Sequence, residues 1–142
     1  MCNFAQQFKI IKQMEFNINK GIVGKKEIIV TKNDTATHYG SGLIDVFATP
    51  AMIGLMEDTA QTSVASLLPS GYITLGIEIN VKHTKATLVG QKVWCDTELT
   101  KVEDKKLFFV VKAYDQQGEI GFGEHIRYIV DGKKFMEKLK TV

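Results

Sequence analysis

Hydrophobic and polar positions divide this chain into an early strand, one long apolar helix and a run of alternating segments. Residues 25–30, carried on to Thr31, read as a strand. A polar, glycine-bearing loop follows (NDTATHYGSG), then a short apolar stretch, LIDVFA. From Ala51 the spacing turns helical. Met52, Met56, Ala60, Val64 and Leu67 recur every three or four residues, and Ile53, Leu55 and Leu68 widen the stripe. Thr49 is expected to cap this helix, because its hydroxyl can accept from a free backbone N–H. Pro50 then suits the first helical position, where no donor is needed. Pro69-Ser70-Gly71 ends the helix.

The remainder alternates with period two. In GIEINVKH, Ile77, Ile79, Val81 and His83 share one face, opposite Glu78, Asn80 and Lys82. Residues 91–103 form a long strand, and Glu103-Asp104-Lys105-Lys106 turns into LFFVVKAYD. Gln116-Gln117-Gly118 then turns into EIGFGEHIRYIV, Asp131-Gly132 closes that strand, and a short amphipathic helix ends the sequence. A helix this apolar needs a surface that wraps it, and a strongly curved antiparallel sheet can do so. The expected fold is therefore α+β, a hotdog: a curved antiparallel sheet around one long central helix. Hotdog domains pair their sheets as dimers, which also protects exposed strand edges.

Composition narrows the setting. With 142 residues, 44% hydrophobic and 24% charged, the chain fits one ordinary globular domain. Met14 offers a second start, so residues 1–13 read as an N-terminal extension and 14–142 as a single domain. The net charge of +2 and the scattered basic residues argue against nucleic acid as a partner. No apolar run approaches the ~18 residues needed to cross a bilayer, and no export signal is evident. Cys2 and Cys95 make neither a disulfide framework nor a zinc site, which fits a reduced, cytoplasmic compartment. Cys95 reads as a small buried hydrophobe within a strand. Arg127 is the only arginine in the chain, and it offers a planar fork that lysine cannot mimic.

Four positions could carry chemistry. Glu57 sits in the second turn of the apolar helix. A carboxylate desolvated there would be a stronger base or nucleophile, although Asp58 and Gln61 beside it also fit a simple polar side. His83 is in phase with the core-facing residues of its strand, where it could act as acid, base or donor. It could equally be a core histidine satisfied by backbone. Thr49 could be a nucleophile or donor as well as a cap. Gly76 would let a ligand approach the backbone, so that its N–H could serve an oxyanion, or it could mark a bulge. His38, in a loop, and His125, in a strand, have no evident chemical context. There is no P-loop, no GxSxG elbow and no HExxH. The GxG of GFGEHIR lies in a strand pattern, which argues against a dinucleotide site.

Three separated blocks, VFATPAMIGLMEDTA, TLGIEINVKH and GFGEHIR, resemble the fluoroacetyl-CoA thioesterase family and its hotdog relatives. The likeness runs from about residue 20 onward. It implies that Thr49, Glu57 and His83 are the catalytic set, that Gly76 helps hold the thioester, and that Arg127 lies near the substrate. It implies a thioesterase acting on acyl-CoA, with no cofactor, coenzyme A entering as part of the substrate. The fluoroacetyl-specific enzyme carries a bulky aromatic lid before the helix. Here that stretch reads HYGSGLIDVFATP, with only Tyr39 and Phe47 aromatic. A short- or medium-chain acyl thioester is therefore the expected substrate. A non-catalytic acyl-CoA-binding module and a hotdog dehydratase or hydratase are the alternatives, both less well suited to Thr49, Glu57 and His83 together.

Geometry constrains that catalytic set. Eight helical residues advance about 12 Å, so Thr49 and Glu57 on one continuous helix cannot share a hydrogen bond. Either the first helical turn is irregular or two chains complete the site. The expectation is a homodimer, or a higher oligomer, with composite sites.

Overall fold

The computed structural model describes residues 16–141. In chain order the elements are β1 (Val23–Ile29), a 3-10 turn (Lys32–Asp34), the single-turn helix α1 (Ala36–Tyr39) and the central helix α2 (Thr49–Ala65). Strands β2 (Tyr72–His83), β3 (Lys92–Glu103), β4 (Lys106–Asp115) and β5 (Gly118–Asp131) follow, and α3 (Gly132–Lys140) comes last. The extension expected at residues 1–13 lies outside the described residues.

The five strands form one sheet in the order β1-β3-β4-β5-β2, with every neighbouring pair antiparallel. Register shifts between Gly76 and Glu78, Leu99 and Lys101, and Ala113 and Tyr114 interrupt its ladders. Each such bulge bends its strand and tightens the local twist, and the sheet curls around α2. This is the hotdog arrangement expected from the sequence.

The core lies between helix and sheet. Met52, Met56, Ala60 and Val64 are fully buried, as their spacing predicts, against inward residues such as Leu99, Leu107, Phe109, Val111 and Ile129. Leu67 falls beyond the end of α2 and is 40% exposed. Cys95 is buried and has no disulfide partner among the described residues, and burial pushes its thiol up to about 11. That is the inert, hydrophobe-like state expected for it.

Two details of β2 depart from simple alternation. The strand begins at Tyr72, four residues before the predicted one. Ile77 does not join Ile79, Val81 and His83 on the inner face. It is the extra residue of the bulge and is 52% exposed. The bulge shifts the phase, so Thr74 and Gly76 above it face the same side as Ile79, Val81 and His83 below it.

The glycines of GFGEHIR serve packing. A Cβ on Gly121 would lie 2.5 Å from Met52 Sδ, and one on Gly123 would lie 2.1 Å from the Asn80 carbonyl oxygen. Only hydrogen lets β5 pass this close to α2 and β2.

Candidate active site

The first cluster sits at the entrance to α2. Ala48, not Thr49, is the N-cap: it is extended at φ −78° and ψ 145°, and its carbonyl accepts from Met52 N. Thr49 is therefore the first helical residue and Pro50 the second, one position later than predicted for each. The Thr49 hydroxyl makes no capping bond. It lies 2.8 Å from Nδ1 of His83, the last residue of β2. The entrance is pinned by two backbone bonds, Phe47 N–H to Thr87 O and Ala48 N–H to Asp34 O, both 2.8 Å. The Phe47 ring packs edge-on against the imidazole.

Burial lowers the His83 pKa, with the Lys85 backbone opposing, which favours the neutral ring. Among the described residues nothing hydrogen-bonds its Nε2. A cleft of about 280 Å³ opens beside the pair, lined by Ser41, Phe47, Thr49, His83, Thr84 and Lys85 among others. A neutral imidazole on a hydroxyl beside an open cleft can take the proton of that hydroxyl as its oxygen attacks.

The second cluster lies two turns along α2. Of the two readings the sequence left open for Glu57, a desolvated carboxylate and a polar side of the helix, its exposure fits the second: the side chain is 41% exposed. Its Oε2 lies 3.5 Å from Arg127 Nη1. The guanidinium itself is almost wholly buried and tightly held. Nε donates to Thr74 Oγ1 at 2.8 Å, Nη2 donates to the Thr74 carbonyl at 2.9 Å, and Nη1 donates to His125 Nε2 at 3.1 Å. Burial lowers the Arg127 pKa and the Glu57 carboxylate opposes that shift. A buried guanidinium tolerates desolvation only when its donors are satisfied this fully.

Gly76 lies over this group on β2, paired with Arg127. A Cβ there would come within 2.6 Å of Glu57 Oε2, 3.1 Å of His125 Cε1 and 3.4 Å of Arg127 Nη1. The absence of a side chain lets the β2 backbone approach the Glu57 carboxylate this closely.

The structure thus brings Thr49 to His83, and Glu57 to Gly76 and Arg127, and leaves the two groups apart. Helix α2 runs unbroken from Thr49 to Ala65, so the irregular first turn that could have joined them does not occur. His125 belongs to the second cluster although its neighbours in the chain suggest no chemical context. Its one signal is the two-residue spacing to Arg127 and Ile129, which puts all three on the inner face of β5. Among the described residues no group of three His, Cys, Asp or Glu could hold a metal ion. No described helix is long and apolar enough to cross a membrane.

Known proteins resemble this arrangement closely. Residues 30–133 match the family described as Fluoroacetyl-CoA-specific thioesterase. The chain is 41% identical to the fluoroacetyl-CoA thioesterase of Streptantibioticus cattleyicolor over 96 residues, covering 68% of this chain and 69% of that protein. A solved structure of the fluoroacetyl-CoA thioesterase FlK superposes with a TM-score of 0.83 at 34% identity, over 88% of this chain and 97% of that one. A variant of FlK in complex with fluoroacetate and CoA gives 0.79 at 35% identity, over 83% and 99%. A Thermus thermophilus protein of the thioesterase superfamily, 24% identical with a TM-score of 0.80 over 87% and 92%, shares the fold.

Proposed function

This chain belongs to the fluoroacetyl-CoA-specific thioesterase family, and from that premise we propose how its two residue clusters divide the work of hydrolysis. It is an acyl-CoA thioesterase, cleaving a short- or medium-chain acyl thioester to a carboxylate and free thiol. Thr49 is the nucleophile. Its oxygen attacks the thioester carbonyl carbon while His83 Nδ1 takes the hydroxyl proton. The C–S bond breaks, and that proton passes to the departing CoA sulfur. Glu57 then removes a proton from water, whose oxygen attacks the acyl-threonine ester; the ester C–O bond breaks, the leaving Thr49 oxygen takes the proton held by Glu57, and the acid departs and ionises to the carboxylate. The Gly76 N–H polarises the carbonyl oxygen, and Arg127 holds Glu57 in place. The observation that carries this reading is the 2.8 Å contact between Thr49 Oγ1 and His83 Nδ1 beside an open cleft.

The clusters meet across a homodimer. Gly76 and His83 are seven residues apart on β2, roughly 23 Å at about 3.3 Å per residue, so one chain cannot place both on one carbonyl. Among the described residues β2 is also an edge strand of the sheet. An antiparallel pairing of β2 with its two-fold copy, with the axis at Asn80, sets Ile79 opposite the partner's Val81 and Glu78 opposite the partner's Lys82, and the bulge at Ile77 then brings Gly76 opposite the partner's His83. Each site then takes Thr49 and His83 from one protomer and Glu57, Gly76 and Arg127 from the other.

Thiol release measured across acetyl-, fluoroacetyl-, butyryl-, hexanoyl- and octanoyl-CoA tests the function. Turnover of one or more straight-chain substrates, with fluoroacetyl-CoA not preferred, is expected. No thiol release from any of the five would overturn it.

A further inference from the structure

Every polar atom of the His125 ring is committed, yet the thioester chemistry above does not use it. The side chain is buried, with 1% of the residue exposed, and the Phe109 ring lies 6.3 Å away, tilted by 31°. Nε2 meets Arg127 Nη1 at 3.1 Å and Nδ1 meets the Glu78 carbonyl at 2.8 Å. A guanidinium can only donate. Nε2 must therefore accept, which puts the single ring proton on Nδ1, where it is donated to Glu78. A second proton on Nε2 would face the Arg127 N–H directly. Burial lowers the His125 pKa, the Glu78 carbonyl opposes, Arg127 lowers it again and Glu57 opposes, with a net downward shift. These are the charged groups that act on the ring, Glu57 from α2 and Arg127 from β5.

The two partners matter because of where they lie. Glu78 follows Ile77, the bulge residue on edge strand β2, and Gly76 precedes it. Arg127 is the ion-pair partner of Glu57. The ring therefore ties the bulged backbone to the guanidinium. A Cβ on Gly76 would lie 3.1 Å from His125 Cε1, so the ring is also packed close against that backbone.

We propose that His125 is a positioning residue: a neutral imidazole, protonated at Nδ1, that locks the β2 bulge to the Arg127 guanidinium and so fixes Gly76 over Glu57. The proposal rests on the assignment of Glu57, Gly76 and Arg127 to the thioester site. Histidine suits the task because one rigid ring presents a donor and an acceptor on different sides at once. Asparagine can replace only the donor, glutamine only the acceptor and phenylalanine neither.

The test combines the three variants with a measurement on the unaltered protein. His125→Phe is expected to lower kcat at least tenfold with KM changed less than about threefold, the pattern of a lost transition-state contact. His125→Gln, which keeps an acceptor for Arg127, is expected to recover at least threefold over His125→Phe. Unchanged kcat in His125→Phe, or three equal losses that follow the fraction of folded protein, would overturn the proposal. Imidazole 15N NMR on the unaltered protein, with the His125 signal assigned by its loss in His125→Asn, reads the tautomer without any substrate. A proton on Nδ1 and a bare Nε2 at pH 7 are expected. The opposite tautomer, or a cationic ring, would overturn the proposal even if no variant folds. If the unaltered protein released no thiol while showing the expected tautomer, the functional reading would fail and the linkage would stand as structural only.

Discussion

Thr49 Oγ1 and His83 Nδ1 lie 2.8 Å apart although 34 positions separate them in sequence. The helix start is capped by Ala48, so the Thr49 hydroxyl is not spent on the backbone. Catalytic and structural roles therefore separate cleanly in mutation. Thr49→Ala should lower kcat about 10²- to 10⁴-fold, the usual worth of an activated nucleophile and its base. Its melting temperature should stay close to that of the unaltered protein. Thr49→Ser keeps the hydroxyl and should retain most activity. A large stability loss in Thr49→Ala, with activity per folded molecule preserved, would return the residue to a capping role.

Gly76→Ala probes the other half of the site. The added methyl would lie 2.6 Å from Glu57 Oε2, too close for any real pair of atoms, so the carboxylate must move. Glu57 is 41% exposed and its side chain can swing outward. The His125 ring, 3.1 Å from the methyl, must also give by a few tenths of an ångström, and the cost should fall mainly on function: kcat/KM down at least about 10²-fold, with a stability change within the 0.5–3 kcal/mol common for point mutants. Steady-state kinetics beside a urea titration would separate the two effects. Unaltered kinetics would show that the close seating of Glu57 against Gly76 does not matter to turnover.

How far the sequence revealed these features depended on the period of the pattern. Met52, Met56, Ala60 and Val64 announce the central helix because four buried residues at one spacing outvote any local ambiguity. The alternation of β3, β4 and β5 is equally plain. Ile77 misled because a bulge adds one residue without a compositional mark, and the phase of β2 cannot be carried across it. Thr49 was placed one position early for a similar reason, since Thr-Pro fits both the cap and the first turn. The likeness to known enzymes joins Thr49, Glu57 and His83 in one set and puts Arg127 near the substrate, but the contacts of Thr49 with His83 and of Glu57 with Arg127 are legible only in the structure. Contacts between a helix and distant strands leave no periodic trace. His125 was missed on the same account: its partners, Arg127 and the Glu78 carbonyl, come together only when β5 pairs with β2.

Asp115 makes acid stability predictable. It is 1% exposed and accepts from Lys85 Nζ at 2.6 Å, Thr87 Oγ1 at 2.9 Å and the Gln117 N–H at 2.8 Å. Burial pushes its pKa up, but the Lys85, Gln117 and Thr87 contacts outweigh it and the pKa falls below the ordinary carboxylate value. A carboxylate depressed in the folded state adds stability that is complete above its unfolded pKa of about 3.9 and is lost as pH falls through the lower folded value. Asp115→Asn should therefore cost about 1–3 kcal/mol at pH 7. The gap between variant and unaltered protein should narrow below about pH 4. Thermal melts at pH 7 and pH 3 check this, and an equal gap at both would refute it.

The composite dimer makes a quantitative prediction from two inactive proteins. If Thr49 and Glu57 act together from different protomers, Thr49→Ala and Glu57→Gln each remove function from both sites of their own homodimer. When the two variants are unfolded together and refolded in equal amounts, about half of the dimers are mixed. In a mixed dimer one site carries both substitutions and the other carries neither. About a quarter of all sites should then be intact, and activity should return to about a quarter of the unaltered level. If Thr49 and Glu57 of the same protomer served one site, every site in the mixture would keep one substitution and activity would not recover. Helix α2 makes that second outcome hard to reach, because the two side chains are held two turns apart on one rigid, unbroken element.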